Sequence, residues 1–415
     1  MENSCHFQRR LKVFVAVLAL STCILVLTTT QIMDKTWYTG AVTTAKHFIR
    51  HSTQPLSQKL HPDFVQTLSS SSLVDSVATN HPLDNSDFER KCQAHRHIGF
   101  IKVHKAGSSS VTNILYRFGM ANNLTFVLPR RDVTVTSMQT SNWRNILPPP
   151  RGKQFDILCN HAVYVRAELT KLLPADTFYI AIIRQPFSHL TSTIYYSYKN
   201  QIPGPRKVKT YLKNPYYYSN VVFRSYTTRS YTNNSMSYEL GLPSNHFGDK
   251  GKIQTFLKAV DADFGLILLM ELMDESLVLL RRYLCLEFKD ILYIPRNKNN
   301  LKPPTGNISA SLRQKHVETD MADYMLYDFF SKKLQNRMTA AGKDFMQEVR
   351  VFKSVLTQLR QFCSGLHSPE VSQLHVTSNP WSRSFNISLD DCKLYLFDGI
   401  EILNYVKHYQ YPDRF

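Results

Sequence analysis

From about residue 98 onward, short apolar runs alternate with longer amphipathic stretches. This alternation predicts an α/β fold whose central, mainly parallel sheet is flanked by helices. The predicted strands are Ile98–Val103, Phe155–Cys159, Phe178–Ile183 and Leu266–Met270. The predicted helices are one that ends near Phe118, Tyr164–Leu173, one that starts after Pro186, and Asp274–Leu284. Ligands of such folds bind beyond the carboxyl ends of the strands, so the turns after the first three strands are the places to look for chemistry.

A different pattern marks the N-terminus. Residues Val13–Met33 carry no charge, and the basic residues Arg9, Arg10 and Lys12 come just before them. Such a stretch predicts a transmembrane signal-anchor over 13–33, with residues 1–12 in the cytosol and the remainder in the lumen. A cleaved signal peptide is the alternative, but no convincing small-residue cleavage site follows the apolar run.

Residues 34–91 are rich in Ser, Thr, Gln, His and Asn, which predicts a lumenal stem. From residue 92 to 415 the composition becomes that of a packed domain. Four acceptor sequons follow the predicted span and mildly support a lumenal location. Their asparagines, the predicted glycosylation sites, are Asn123, Asn233, Asn307 and Asn386.

Five cysteines follow the predicted span, and none of them forms the C-x-x-C pair of a zinc or redox site. In an oxidising compartment they predict two disulfides and one free thiol. We expect Cys363 to pair with Cys392, because the two are close in the C-terminal region.

Lys and Arg exceed Asp and Glu by 50 − 32 = 18, which favours anionic partners such as a nucleotide, an anionic membrane surface or nucleic acid. The segment Tyr195–Tyr238 interleaves aromatic and basic side chains, a pattern that suggests nucleic acid in a cytosolic protein. In the lumen the same pattern fits part of a cleft for a sugar acceptor, with aromatic rings against the sugar. An ordinary solvated insertion explains the pattern equally well.

The first turn has small residues from Ala106 to Ser110, which let consecutive backbone N–H groups face an anion. The helix that follows adds its positive N-terminal dipole, and Lys105 adds a point charge. The turn is not a Walker A loop, because Lys precedes Gly. A serine-capped helix start with solvated lysines is the alternative interpretation.

The stretch that begins at Lys102 resembles the 5′-phosphosulfate-binding motif of sulfotransferases that use 3′-phosphoadenosine 5′-phosphosulfate (PAPS). It is most similar to the K-T-H-K-T-A-S-S motif of the galactose-3-O-sulfotransferase family, with departures at Val103, Ala106 and Gly107. The resemblance implies a P-loop-like sulfotransferase fold, with Lys105 at the oxygen that bridges sulfur and the 5′-phosphate. The PAPS-binding residues implied here are Lys102, Lys105, Ala106, Gly107, Ser108, Ser109 and Ser110.

The third turn supplies an independent element. Arg184 ends a strand, Pro186 suits the first turn of a helix, and Ser192 lies about two turns further on. This arrangement resembles the 3′-phosphate-binding motif of the same enzymes, in which arginine gives a planar bidentate grip. An acidic residue usually follows that arginine, whereas this chain has Gln185. A helix start with a surface arginine is the alternative.

The second turn contains Asn160 and His161 directly after a strand. Sulfuryl transfer needs a base for the acceptor hydroxyl, and histidine is suited to that role near neutral pH. The family has the same Asn-His pair, so we expect His161 to be the base and His104 to be the second candidate. Strand alternation would place Lys102 and His104 on one face and Lys105 on the other, unless the strand has already ended. A hydrogen-bonded structural histidine is the alternative for His161.

A further family-like run lies around Glu271–Leu284. Asp274 is suited to cap a helix whose Leu277, Leu280 and Leu284 pack inward. We interpret this segment as scaffold rather than as part of the site.

The resemblance therefore implies a Golgi-resident, single-pass type II membrane sulfotransferase. Its acceptor would be the 3-hydroxyl of a terminal β-galactose on a glycolipid or a glycoprotein. We expect no metal and no nucleic-acid partner, and a homodimer is left open. A nucleotide-dependent kinase is one alternative, but the chain lacks the Walker A residue order and an evident carboxylate for magnesium. A non-catalytic lumenal glycan-binding protein is the other alternative.

Overall fold

The structure is a computed structural model that describes residues 92–131, 133–135, 145–225, 229–295, 308–365 and 372–414. The predicted cytosolic tail, transmembrane segment and stem lie outside these residues, as does the sequon at Asn307. Within the described ranges no helix has the length and apolar character needed to cross a bilayer.

A four-stranded parallel sheet forms the centre of the described domain, with strand order β2-β1-β3-β4. Its strands are β1 (Ile98–Ile101), β2 (Ile157–Leu158), β3 (Phe178–Ile183) and β4 (Phe264–Leu269). The strands are almost continuously apolar and buried, as is typical of a parallel sheet covered by helices on both faces. The predicted α/β fold with a parallel central sheet is thus confirmed.

Helices connect the strands and extend beyond the last of them. They are α1 (Ser108–Ala121), α2 (Arg166–Leu169), α3 (Pro186–Ser197), α4 (Lys207–Lys213), α5 (Pro215–Tyr217), α6 (Ser235–Glu239), α7 (Lys250–Asp263), α8 (Met273–Leu284), α9 (Phe288–Ile291), α10 (Ala310–Thr319), α11 (Met321–Ala340), α12 (Phe345–Cys363), α13 (Leu389–Leu396) and α14 (Gly399–Gln410). A π-helical turn at Tyr218–Val222 and 3-10 turns at Phe223–Ser225, Ser244–His246 and Met270–Leu272 complete the helical segments.

Several predicted bounds, among them those of β2 and β4, and one predicted helix cap differ from the structure. β1 stops at Ile101 because the N–H of Val103 donates back to the Ile101 carbonyl and turns the chain. The helix predicted over Tyr164–Leu173 is only the single turn α2. Asp274 does not cap α8: Leu272 occupies that position, and the Asp274 carboxylate accepts a hydrogen bond from the hydroxyl of Tyr293 at 2.7 Å.

The C-terminal part adds an antiparallel pair, β5 (Gln373–Val376) and β6 (Phe385–Ser388). A disulfide joins Cys363 at the end of α12 to Cys392 in α13, as predicted. A second disulfide joins Cys92 to Cys285, and Cys159 is the buried free thiol. The expected two bridges and one free thiol are therefore confirmed.

An ion-pair network holds α8 against α12 inside the core. The completely buried Glu348 accepts hydrogen bonds from Arg281 at 2.7 Å and from Arg282 at 2.6 Å. The apolar face of α8 packs inward through Leu277, Leu280 and Leu284, as predicted. The scaffold role inferred for this segment fits both observations.

The segment Tyr195–Tyr238 contains a small core of its own. Tyr198, Tyr211 and Phe223 are buried, and the rings of Tyr198 and Phe223 stack with centroids 3.7 Å apart. The segment is therefore packed around aromatic side chains rather than being a wholly solvated insertion. Some of its tyrosines remain outside this core, and Tyr196 is 69% exposed.

Candidate active site

The turn between β1 and α1 is tightly wound. Lys105 and Gly107 both have left-handed backbone conformations, with φ of 56° and 79°. The Ser108 hydroxyl donates to the Val103 carbonyl at 2.6 Å and closes the turn from the inside. A Cβ at Gly107 would lie 3.2 Å from side-chain atoms of Met270 and Met273, so a larger residue there would strain the loop.

The helix that starts after this turn suits an anion. The first turn of α1 contains no acidic side chain, and the partly exposed Ser109 and Ser110 place hydroxyls there. Unpaired N–H groups and the helix dipole give such an end a partial positive charge. A small, shallow hollow lies against Ser109 and Ser110, and Arg184 is not among the residues that line it.

Lys105 and Arg184 meet at the carboxyl ends of β1 and β3. Nη1 of Arg184 donates to the Lys105 carbonyl oxygen at 3.2 Å, and Nε of Arg184 is buried without a hydrogen-bond partner. The Lys105 ammonium lies 3.2 Å from the ring centroid of Tyr196. Among the described residues no carboxylate forms an ion pair with either cation. The pair therefore makes a positive site whose cations are not ion-paired to a described carboxylate, although the charge of Glu271 acts on Arg184.

Burial lowers the pKa values of both Lys105 and Arg184. Burial, followed by the charge of Arg184, lowers the pKa of Lys105 to about 8. Burial also lowers the pKa of Arg184, although Glu271 partly offsets that effect. Both effects penalise the charged forms, so binding a ligand with anionic groups beside these cations would relieve them.

Of the other residues predicted to bind PAPS, Lys102 and Ala106 are buried and Ser192 is partly exposed. Ala106 and Lys102 are buried, and Lys102 is only 5% exposed, so burial lowers its pKa. Ser192 is half-buried on α3, whose N-cap is Gln185. The Gln185 side chain accepts from the Ser188 N–H at 2.7 Å, which gives this residue a capping role in place of the expected acid.

The two candidate bases lie against each other. The imidazole rings of His104 and His161 are stacked with centroids 3.7 Å apart. Nδ1 of His161 is 2.8 Å from the Lys102 carbonyl oxygen, and because a carbonyl only accepts, this nitrogen carries the proton. Burial, then the charges of His104 and Lys102, hold the pKa of His161 well below its usual value. His161 is therefore neutral, with its lone pair on Nε2.

Sequence reasoning missed a third member of this cluster, Glu239 at the end of α6. This residue is 2% exposed, and its carboxylate accepts from the His104 backbone N–H at 2.9 Å and from His104 Nδ1. Arg229 donates to the same carboxylate at 2.5 Å. One available signal was that Glu239 is the only acidic residue between Asp176 and Asp249.

The electrostatic state of Glu239 follows from these contacts. Burial opposes its ionisation, but the charge of Arg229 and that of His104 in its protonated form outweigh this effect and hold the pKa of the Glu239 carboxyl far below its usual value. Glu239 is therefore an ionised carboxylate in the interior of the site. Such a group is stable only when it is paired and hydrogen-bonded, as it is here.

His104, His161 and Glu239 also place one possible metal-ligand atom each within 4.8 Å of one another. Sequence analysis expected no metal and did not bring these three residues together. Two of these potential ligands already bond to each other, and Lys102 and Arg229 act on the same cluster with positive charge. These neighbours disfavour a bound cation, and the absence of a metal stays a prediction.

Aromatic and cationic side chains surround the histidines. The Tyr231 ring centroid lies 4.6 Å from that of His104. The Arg229 guanidinium lies over Tyr231 and Tyr238 at 4.5 and 4.6 Å. Aromatic faces of this kind can pack against the C–H groups of a sugar ring, as the acceptor-cleft interpretation of this segment requires.

The described sequons differ in their accessibility. Asn123 and Asn386 are exposed, whereas Asn233 is partly buried and its side-chain oxygen accepts from Asn234 at 2.7 Å. Glycosylation at these positions stays a prediction.

Comparison with known proteins agrees with the motifs. The galactose-3-O-sulfotransferase family model matches residues 2–384. Galactosylceramide sulfotransferase of Homo sapiens is 28% identical over 302 residues, which cover 70% of each chain. Galactose-3-O-sulfotransferase 3 of Mus musculus is 30% identical over 282 residues, or 65% of this chain and 64% of that protein. Galactose-3-O-sulfotransferase 2 of Homo sapiens is 29% identical over 275 residues, or 64% of this chain and 67% of that protein.

The aligned region thus spans about two thirds of the length of these relatives. The family match extends over far more than half of the chain, and it agrees with the motif resemblance at Lys102–Ser110. The chain therefore belongs to the galactose-3-O-sulfotransferase family, a family of sulfotransferase enzymes.

Proposed function

We propose that this protein transfers a sulfuryl group from PAPS to the 3-hydroxyl of a terminal β-galactose. The observation that carries the proposal is the contact between Arg184 and the Lys105 loop. It places two cations, neither ion-paired to a carboxylate of the described residues, beside a stacked histidine pair. The buried, unpartnered Nε of Arg184 is a donor that an incoming phosphate would satisfy.

Each part of the proposed reaction is assigned to residues of the site described above. PAPS supplies an activated sulfuryl group, whose bond to the 5′-phosphate breaks as the acceptor oxygen bonds to sulfur. Lys105 and the first turn of α1 would stabilise the electron pair left on the phosphate. Arg184 and Ser192 would hold the 3′-phosphate, and one of the stacked histidines would take the acceptor's proton. Positioning and charge stabilisation then account for the catalysis, as in phosphoryl transfer.

The acceptor class is the finer part of the proposal. The relatives' names include galactosylceramide and galactose, and we propose a galactose-terminated glycolipid or glycoprotein as the acceptor here. Tyr231 beside His104 offers a ring for the sugar. We also propose that the protein is anchored by residues 13–33 in the Golgi membrane with its catalytic domain in the lumen, alone or as a homodimer.

Incubation of the full-length protein with ³⁵S-labelled PAPS and a panel of glycolipid and glycoprotein galactosides tests the function. We expect label on β-galactosides, absence of label on 3-deoxygalactosides, and no requirement for magnesium. Label only on acceptors that lack galactose would overturn the acceptor assignment. Transfer of phosphate from ATP that depends on magnesium would instead support a kinase.

The lowered pKa of Lys105 predicts how nucleotide binding depends on pH. The lysine must carry its proton to hold a phosphate, and in the free protein it loses that proton as the pH rises through about 8. The dissociation constant for 3′-phosphoadenosine 5′-phosphate should therefore rise above pH 8, by at most about tenfold per pH unit. Calorimetric titration between pH 7 and 9.5 measures this dependence.

The matched control is Lys105→Arg, because a guanidinium keeps its charge throughout this range. The arginine variant should bind with little change between pH 8 and 9.5. If it shows the same pH dependence as the unmodified protein, Lys105 is not the group that titrates.

A further inference from the structure

Glu239 contacts both the backbone and the side chain of His104. It lies 135 residues from His104 in sequence, yet it accepts both the backbone N–H and Nδ1 of that residue. The backbone contact comes one residue before Lys105, the proposed leaving-group lysine. A single carboxylate thus holds both the imidazole and the loop next to it.

The two stacked histidines differ in the group that contacts Nδ1 of each ring. His161 is backed by the neutral carbonyl oxygen of Lys102, and its burial disfavours the imidazolium that a base becomes when it accepts a proton. His104 is backed by the ionised Glu239, and 26% of its side chain is exposed. A carboxylate behind an imidazole stabilises the imidazolium and fixes which nitrogen is free.

We infer that Glu239 is a positioning residue that holds His104 with its proton on Nδ1 and its lone pair on Nε2, and that His104 is consequently the base that accepts the proton of the acceptor hydroxyl. The inference rests on the proposed sulfuryl transfer and goes beyond it by assigning the base. His161, the first choice from sequence, becomes the neutral ring stacked beside the base.

The proton and electron balance is complete with these groups. The acceptor O–H bond breaks as its oxygen bonds to sulfur, and the proton passes to Nε2 of His104. The S–O bond to the 5′-phosphate breaks, and its electron pair leaves with the phosphate next to Lys105. Glu239 stays ionised throughout, because Arg229 donates to it and offsets its charge.

The other groups around His104 do not replace Glu239 in this role. His189 is fully buried, and its Nε2 hydrogen-bonds the His104 carbonyl oxygen at 2.9 Å. Burial lowers the pKa of His189 to about 4, so it carries no positive charge near neutral pH. Tyr231 contributes a ring face at 4.6 Å, and burial raises the pKa of its hydroxyl. Among the described residues that contact the His104 ring, Glu239 is the carboxylate.

The test is Glu239→Gln in the full-length protein, which keeps the side-chain shape and an acceptor oxygen but removes the charge. With ³⁵S-labelled PAPS and a β-galactoside, kcat should fall by roughly 10²- to 10⁴-fold while KM for both substrates changes by less than about threefold. The loss should disappear in a His104→Ala background, because the two residues act as one unit, and persist in a His161→Ala background.

Glu348→Gln is the matched control, since Glu348 is also a completely buried glutamate paired with arginine. This variant should lower the melting temperature and leave kcat unchanged at temperatures where it is folded. Equal loss of kcat from Glu239→Gln with and without His104 would overturn the inference. So would a loss that appears only in KM.

A spectroscopic arm does not depend on turnover. In protein labelled with ¹⁵N-histidine, long-range ¹H–¹⁵N spectra should show His104 with a protonated Nδ1 and an unprotonated Nε2 in its neutral form; His104→Ala identifies the signal. A neutral His104 with its proton on Nε2 would overturn the inference. If the protein transfers no sulfuryl group to any galactoside, the proposed function fails, while this arm still decides whether Glu239 sets the tautomer.

Discussion

Replacing Lys105 by alanine is expected to lower kcat by roughly 10²- to 10³-fold, the cost of removing one group that stabilises charge in a transition state. Lys105 lies at the end of β1, next to the guanidinium of Arg184, and no carboxylate among the described residues neutralises it. Its charge is therefore available for the phosphate that leaves when the S–O bond breaks. Initial rates with saturating PAPS and galactoside measure the effect.

Lys171→Ala is a suitable control, because that side chain is 65% exposed and pairs only with Glu168 at the surface in the described structure. The control should retain wild-type turnover. Wild-type turnover in Lys105→Ala as well would show that the leaving phosphate is stabilised elsewhere.

Replacing Glu348 by alanine is expected to reduce the free energy of unfolding by about 3–5 kcal/mol. Glu348 is fully buried between Arg281, whose side chain is 5% exposed, and Arg282, so its removal takes the carboxylate away from a buried guanidinium. Arg281 also donates to the Trp381 carbonyl, which keeps its guanidinium inside the protein. Urea or thermal unfolding of the variant measures the loss.

The same two helices offer a matched comparison. Glu275 on α8 pairs with Lys353 on α12 at 2.6 Å, and the lysine side chain is 46% exposed. Glu275→Ala should therefore cost no more than about 1 kcal/mol. Equal destabilisation by the two variants would mean that the buried Glu348 network adds no more to the free energy of unfolding than the exposed pair does.

Most of the sheet was predictable because its strands are apolar runs with clear ends. β3 has the predicted bounds, since Phe178–Ile183 is followed at once by Arg184 and Pro186. β2 is shorter than the predicted Phe155–Cys159 because this edge strand pairs with β1 through only Ile157 and Leu158. Strand length at an edge depends on the neighbour, which the local sequence does not reveal.

The loop chemistry was predicted better than its geometry. Alternation would have placed Lys102 and His104 on one face, but β1 ends at Ile101 and the alternation no longer applies. Lys102 is buried, whereas His104 is partly exposed. The small residues at 106–110 predicted a turn. Gly107 adopts a left-handed conformation there, which favours a residue without a side chain.

The partners of the two histidines could not be predicted from local patterns. The stacking of His104 on His161 joins two turns that are far apart in sequence. Glu239 reaches His104 only because α6 packs next to the end of β1, and that placement depends on Asp323 in α11, which accepts from the N–H groups of Met236 and Ser237. These are tertiary contacts, and a single sequence carries no signal of their geometry.

The central claim is that the Lys105 loop and Arg184 hold opposite ends of a doubly phosphorylated adenosine. Binding of 3′-phosphoadenosine 5′-phosphate and of adenosine 5′-phosphate to the protein and to Arg184→Ala, measured by calorimetry, tests it most directly. We expect the variant to bind the bisphosphate roughly 10- to 100-fold more weakly, the worth of a charged hydrogen bond, and to bind the 5′-monophosphate nearly unchanged. An equal loss for both nucleotides, or no loss for either, would contradict the account.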